Sequence, residues 1–109
     1  MEDLIALFAE YPFVTEYQVL NFERTRTTLR LKISATMTDG SRLVISEATN
    51  PRGFRYAYQW QDARDQLLAR WDNAPHHPHL TTFPDHLHVG DVLEPVMQPT
   101  IRDVFEYIA

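Results

Sequence analysis

Between Arg70 and His79 the chain reads Arg70-Trp71-Asp72-Asn73-Ala74-Pro75-His76-His77-Pro78-His79, and a second cluster, Asp85-His86-Leu87-His88, follows a few residues later. Imidazole is the side chain best placed to exchange protons near neutral pH, and a carboxylate such as Asp72 can hold one ring tautomer and stabilise the imidazolium. Arg70 or Arg55 nearby would stabilise negative charge growing on a phosphorane. These are the parts of a metal-independent ribonuclease, in which one histidine deprotonates the ribose 2′-hydroxyl and a second protonates the leaving 5′-oxygen. The candidates for this chemistry are Arg70, Asp72, His76, His77, His86 and His88, with Arg55, Asn73 and Tyr58 as candidate nucleic-acid contacts. Tyr58 would act by stacking an unpaired base.

Each assignment has a plainer competitor. A single histidine is more often structural or simply on the surface, although five within one segment weaken that reading. The aromatic stripe Phe54, Tyr56, Tyr58 and Trp60 has strand spacing and reads first as core, and Arg30 and Lys32 read first as the solvated face of an outer strand. Metal binding is the competing chemistry. His77-x-His79 and His86-x-His88 are spaced as chelating pairs on extended backbone, and Asp72 or Asp85 could add an oxygen. Acid–base use is placed ahead of it, and no cofactor is expected.

The elements that must position these groups can be read from periodicity. Leu4, Ile5, Leu7 and Phe8 mark one side of a short helix over Asp3–Glu10, which stops before Pro12. Residues from Val14 to Glu23 form a strand whose apolar phase moves from Tyr17 and Val19 to Leu20 and Phe22, the sign of a bulge. Leu29, Leu31, Ile33, Ala35 and Met37 alternate with polar residues, the period of two of a half-buried strand. Asp39-Gly40 then predicts a two-residue hairpin turn, with the return strand Leu43–Ala48 in the register that sets Lys32 opposite Glu47. Turn chemistry at Asn50-Pro51-Arg52-Gly53 and at Asp62–Asp65 brackets a strand containing Phe54 to Gln61, and Leu67–Asp72 is a fifth.

Five of the seven prolines and all five histidines lie between Asn73 and Pro99. That composition predicts an irregular loop, ordered by Leu80, Phe83, Val89, Val92 and Leu93 and set against the sheet. Thr100 can cap a final helix whose buried stripe is Ile101, Val104, Phe105 and Ile108. The expected fold is therefore α+β: a five-stranded antiparallel meander with N- and C-terminal helices packed on it and a His/Pro-rich loop, in a single domain over residues 1–109.

Composition narrows the function classes. With no cysteine, disulfide frameworks, thiolate metal sites and cysteine nucleophiles are all excluded. There is no run of about 18 apolar residues to span a bilayer, and the N-terminus is acidic where a signal peptide would be basic, so a cytoplasmic protein is expected. A formal charge of −5 argues against a general electrostatic field for nucleic acid, so any RNA site must be local. Nine arginines and one lysine carry the positive charge, and guanidinium forks suit phosphate or carboxylate better than ammonium does.

At the motif RWDNAPHHP, followed by TFP and His-x-His-Val, the sequence resembles the TumE family of prokaryotic toxins. The likeness extends through Tyr11-Pro12-Phe13-Val14, the Thr38-Asp39-Gly40-Ser41 turn and Tyr56-Ala57-Tyr58-Gln59-Trp60-Gln61, and so covers nearly the whole chain. Asp85 and Leu87 depart from the more basic, histidine-rich segment that often follows TFP in that family. The resemblance implies a type II toxin encoded beside a small antitoxin, usually a DNA-binding helix-turn-helix protein, that neutralises it by contact. Its motif residues fall here on Arg70, Asp72, Asn73, His76, His77, His86 and His88. The other expected partner is an RNA substrate, with no membrane; a homodimer is left open, as is a noncatalytic module that acts by blocking a partner.

Overall fold

A computed structural model describes residues 2–109. The order of elements is helix α1 (Glu2–Ala9), strands β1 (Val14–Arg24), β2 (Leu29–Met37), β3 (Arg42–Asn50), β4 (Gly53–Gln61), β5 (Leu67–Asp72), β6 (His86–Val89) and β7 (Val92–Pro95), and helix α2 (Ile101–Ile108). The strands pair only with their sequence neighbours, antiparallel throughout, giving one seven-stranded meander.

Register decides what each face of this sheet carries. The cross-strand row Ile33–Ile45–Tyr58–Trp71–Leu87 runs through β2 to β6 and is buried along its length. Both helices lie on that face. Phe8 of α1 meets Phe105 of α2 edge-on, Phe105 stacks on Tyr11, and Tyr107 of α2 sets an edge against Trp60 and Trp71. Because side chains alternate along a strand, the residues one step away, Lys32–Ser46–Ala57–Asp72–His86, form a row on the opposite, helix-free face.

Local chemistry explains the helix ends. Thr100 caps α2 by accepting from the Asp103 N–H, while the Asp103 carboxylate accepts from the Thr100 N–H, a reciprocal capping box. In β1, Val19 faces Ile33 and Asn21 faces Lys32, which leaves Leu20 as the extra residue of a bulge. The bulge returns Phe22 to the core face opposite Leu31, which accounts for the shifted apolar phase in the sequence.

Two expectations need correction. The sheet has seven strands rather than five, because the segment between Asn73 and Pro99 is irregular only up to Asp85 and then forms the β6–β7 hairpin. Gly90 and Asp91 are its two-residue turn, with Gly90 at φ +58° and Val89 facing Val92. The second correction concerns Lys32, which lies opposite Ser46 while Glu47 faces Leu31. The β2–β3 loop takes three residues instead of two. Gly40, at φ +83°, donates to the Met37 carbonyl at 2.9 Å, and the Met37 N–H donates to the Ser41 carbonyl at 2.9 Å. A turn followed by a left-handed glycine is the usual three-residue alternative, and it shifts the register by one.

Candidate functional site

The helix-free face brings four of the predicted groups into a square. Asp72 of β5 faces His86 of β6, and two residues back Arg70 faces His88. The Asp72 side chain, 6% exposed, accepts from three donors. Oδ1 takes the His86 Nε2 proton at 2.8 Å and the Ala74 N–H at 3.0 Å, and Oδ2 takes Arg70 Nε–H at 3.0 Å. Arg70 is held by a second bond, from Nη1 to Gln59 Oε1 at 2.6 Å.

His86 is 2% exposed and has no free nitrogen. Its Nδ1 lies 2.9 Å from the Pro84 carbonyl, which can only accept, so that nitrogen carries a proton. Its Nε2 meets the Asp72 carboxylate, another acceptor, and a proton lies in that contact too. The pair is a buried carboxylate against an imidazole that donates from both sides.

His88 is differently placed. Its side chain is 31% exposed, its Nε2 stands 3.8 Å from Asp72 Oδ2, beyond a hydrogen bond, and its proton affinity is lowered. Burial is the largest cause, followed by the positive charge on His86; Asp72 opposes these, and His77 and Arg70 add to the lowering. The turn-rich segment after β5 folds back to bring His77 over the square, with its ring centroid 4.8 Å from that of His86 and 5.8 Å from that of His88. His79 follows at 5.9 Å from His77, on an exposed position.

Other predicted residues are located elsewhere. His76 is exposed, and no ring contact joins it to the cluster among the described residues. Tyr58 belongs to the core row at 2% exposure and donates its hydroxyl proton to Glu47 on the helix-covered face; burial, then this bond, raises its proton affinity. The parity of β4 thus sets its ring on the packed face, away from the histidine cluster. Asn73 is also a structural residue. Its amide accepts from the Tyr56 N–H at 3.0 Å and donates to the Phe54 carbonyl at 2.8 Å, extending the β4–β5 pairing by one side chain. Its own carbonyl accepts from Arg55 Nη1 at 3.1 Å, which fixes that exposed arginine beside the site. Asp85 is turned away and accepts from the Tyr56 hydroxyl at 2.7 Å.

His77, His86 and His88 are the set that could hold a metal, each offering a ligand atom within 4.8 Å of the others. Tetrahedral zinc, with bonds of about 2.0–2.1 Å, would draw its nitrogens to about 3.3–3.4 Å and would have to displace one of the His86 protons. Proton exchange by His77 and His88 needs neither change. Sequence reasoning missed Gln59, which aims Arg70; the signal available was its position opposite Arg70 in the strand register.

Residues 2–109 match the family model described as toxin TumE. The chain belongs to the TumE toxin family. Nothing among curated proteins or solved structures matches it. Membership implies a toxin of a toxin–antitoxin system and an antitoxin partner. No helix among the described residues is long and apolar enough to cross a membrane.

Proposed function

We propose that this TumE-family toxin is a metal-independent endoribonuclease. The observation that carries the reading is the grouping of His77 and His88, each with nitrogen free for proton exchange, around the fixed Asp72–His86 pair on the open face of the sheet. In-line cleavage needs a base and an acid on opposite sides of one phosphate. His88, whose proton affinity is lowered, takes the proton from the ribose 2′-hydroxyl; the 2′-oxygen attacks phosphorus, the bond to the 5′-oxygen breaks, and His77 in its protonated form supplies the proton that the leaving oxygen needs. The product is a 2′,3′-cyclic phosphate and a free 5′-hydroxyl. Arg70, already aimed by Asp72 and Gln59, faces the charge that develops on the equatorial oxygens. His86 acts as a positioning residue.

The test is cleavage of an RNA oligonucleotide by the purified chain in chelator, with His88→Ala and His77→Ala alongside. Activity that survives chelator and falls in both variants supports the reading. Loss in chelator alone moves it to a metal-dependent phosphodiesterase, the second reading, which the spacing of the three imidazoles favours. Growth arrest without RNA turnover would make the protein a blocking module instead. The antitoxin expected is a small helix-turn-helix DNA-binding protein encoded next door, and co-purification with that neighbour checks it. Sizing the chain alone and in that complex tests for a homodimer.

A further inference from the structure

The site lies at one end of a trough. On the helix-free face, the residues of β3 and β4 between the flanking strands are small: Ser46 and Ala48 on β3, Ala57 on β4. On one side of this floor stand Arg30 and Lys32 of β2, facing Ala48 and Ser46 in register; on the other stand Arg55 of β4 and Arg70 of β5. Together they enclose a cleft of about 360 Å³ that runs to Asp72, Asn73 and Ala74 at the foot of the histidine cluster. A floor of short side chains between long cationic ones makes an open channel with cationic side chains along both walls.

The charges of the β2 wall are available. Neither Arg30 nor Lys32 makes an ion pair among the described residues; the cross-strand neighbour of Arg30 on β1, Glu23, is not within bonding reach. The one carboxylate in the lining on this face, Asp72, is neutralised by Arg70 and His86. A chain with formal charge −5 thus keeps a local positive track, and the track ends at the groups that would do the chemistry.

We infer that the trough binds single-stranded RNA, with Arg30, Lys32 and Arg55 holding the phosphates that flank the scissile one; the inference rests on the ribonuclease reading. From β2 to β5 is three inter-strand spacings, about 14 Å, so the wall residues reach neighbouring phosphates rather than the one being cleaved. A single strand is required because the 2′-oxygen must swing into line with the leaving oxygen, which the regular A-form duplex prevents. The cationic walls suit phosphates, and the floor between them, Ser46, Ala48 and Ala57, offers bases only the Ser46 hydroxyl. Selectivity here is for an exposed, flexible backbone.

The experiment uses a labelled single-stranded 2′-deoxy oligonucleotide, which has no 2′-hydroxyl and is bound without cleavage, and follows its affinity against salt. With about three phosphates neutralised, log K should fall against log[salt] with a slope near −2, at roughly 0.7 per contact for single strands. Arg30→Gln/Lys32→Gln should weaken binding by about tenfold or more at low salt and flatten the slope by about 1.4. Arg64→Gln/Arg102→Gln removes the same charge from exposed positions off the trough and should leave the slope unchanged. A duplex of the same sequence should bind more weakly. If the trough variant keeps the affinity and slope of the parent chain, or if both double variants lose equally, the track does not exist. His88→Ala separates the two readings: it should lower cleavage by about 10² to 10⁴-fold yet bind the probe like the parent chain. A trough that binds normally in a chain that never cleaves RNA would sink only the ribonuclease reading.

Discussion

On the helix-covered face of the sheet, the row Ile33–Ile45–Tyr58–Trp71–Leu87 is buried from end to end. One residue along each strand, the row Lys32–Ser46–Ala57–Asp72–His86 passes from an exposed ammonium over two small residues to a buried ion pair. The same backbone ladder carries both rows, so the contrast comes from side-chain parity alone. It teaches that the sheet can be rigid because one face is packed, while the other presents polar groups at fixed spacing. Substitutions on the two faces should therefore separate stability from activity.

The largest expected effect tests the open face. His88→Ala removes a group proposed to act in the transition state, and such groups contribute about 10² to 10⁴-fold in rate. RNA cleavage should fall by that factor with little change in melting temperature, since the His88 ring is partly exposed and hydrogen-bonds to nothing among the described residues. A variant that melts early as it loses activity would erase the distinction between the faces. The counterpart is Phe105→Ala on α2, whose ring is fully buried against Phe8, Tyr11 and Phe13. It should cost roughly 3–5 kcal/mol in chemical denaturation. The fraction that remains folded should cleave RNA at the parent rate.

A smaller effect is expected at the β2–β3 loop, where Gly40 has φ +83° and an added Cβ would come within 3.1 Å of Ala63 Cβ. Gly40→Ala should lose roughly 1–2 kcal/mol from the left-handed conformation, and more if Ala63 cannot move. Denaturant midpoints measure it. No change would mean that the loop can revert to the two-residue form, which would also slip the register of the β2 wall.

How much of this was legible depended on whether the signal lay within one strand or between strands. Leu31, Ile33 and Ala35 announced β2 by alternation, the phase shift around Leu20 announced the bulge, and Thr100 with Asp103 announced α2. The register of β2 on β3 did not follow, because Asp39-Gly40 serves a two- or a three-residue turn and the choice depends on what Ser41 bonds. Its N–H and hydroxyl both reach Asp39 Oδ1, at 2.8 and 2.5 Å. The β6–β7 hairpin was written in His86-Leu87-His88-Val89 and Gly90-Asp91, yet each strand has only four residues and the surrounding prolines dominate the composition. For the site, the residue types were legible in the motif. The square formed by Asp72, His86, Arg70 and His88 required the β5–β6 register, as did the displacement of Tyr58 and Asn73 into structural roles. Arg30 and Lys32 read as mere surface because the small floor beside them belongs to other strands.

The last and smallest effect is in pH dependence, and it tests whether the buried pair on the open face tunes its neighbour. His88 has its proton affinity held below the ordinary histidine value of 6.5 by burial first and then by the charge on His86, with His77 and Arg70 contributing and Asp72 opposing. A base must be unprotonated to act, so the acidic limb of the kcat/KM profile, which reports the free enzyme, should lie below pH 6.5. The sign is the same for stability: a histidine held neutral by the fold stabilises it above its unfolded value, and that contribution is lost as pH falls. His86→Gln keeps a polar side chain against Asp72 but removes the cation, so the limb should move up towards 6.5. Asp72→Asn removes the one opposing influence, but it also removes the partner of His86, so its profile is read beside a melting curve. Burial remains in His86→Gln, and solvent at the partly exposed ring screens the rest, which is why the shift should be small. An acidic limb unchanged in His86→Gln would mean that His86 only supports the loop through Pro84.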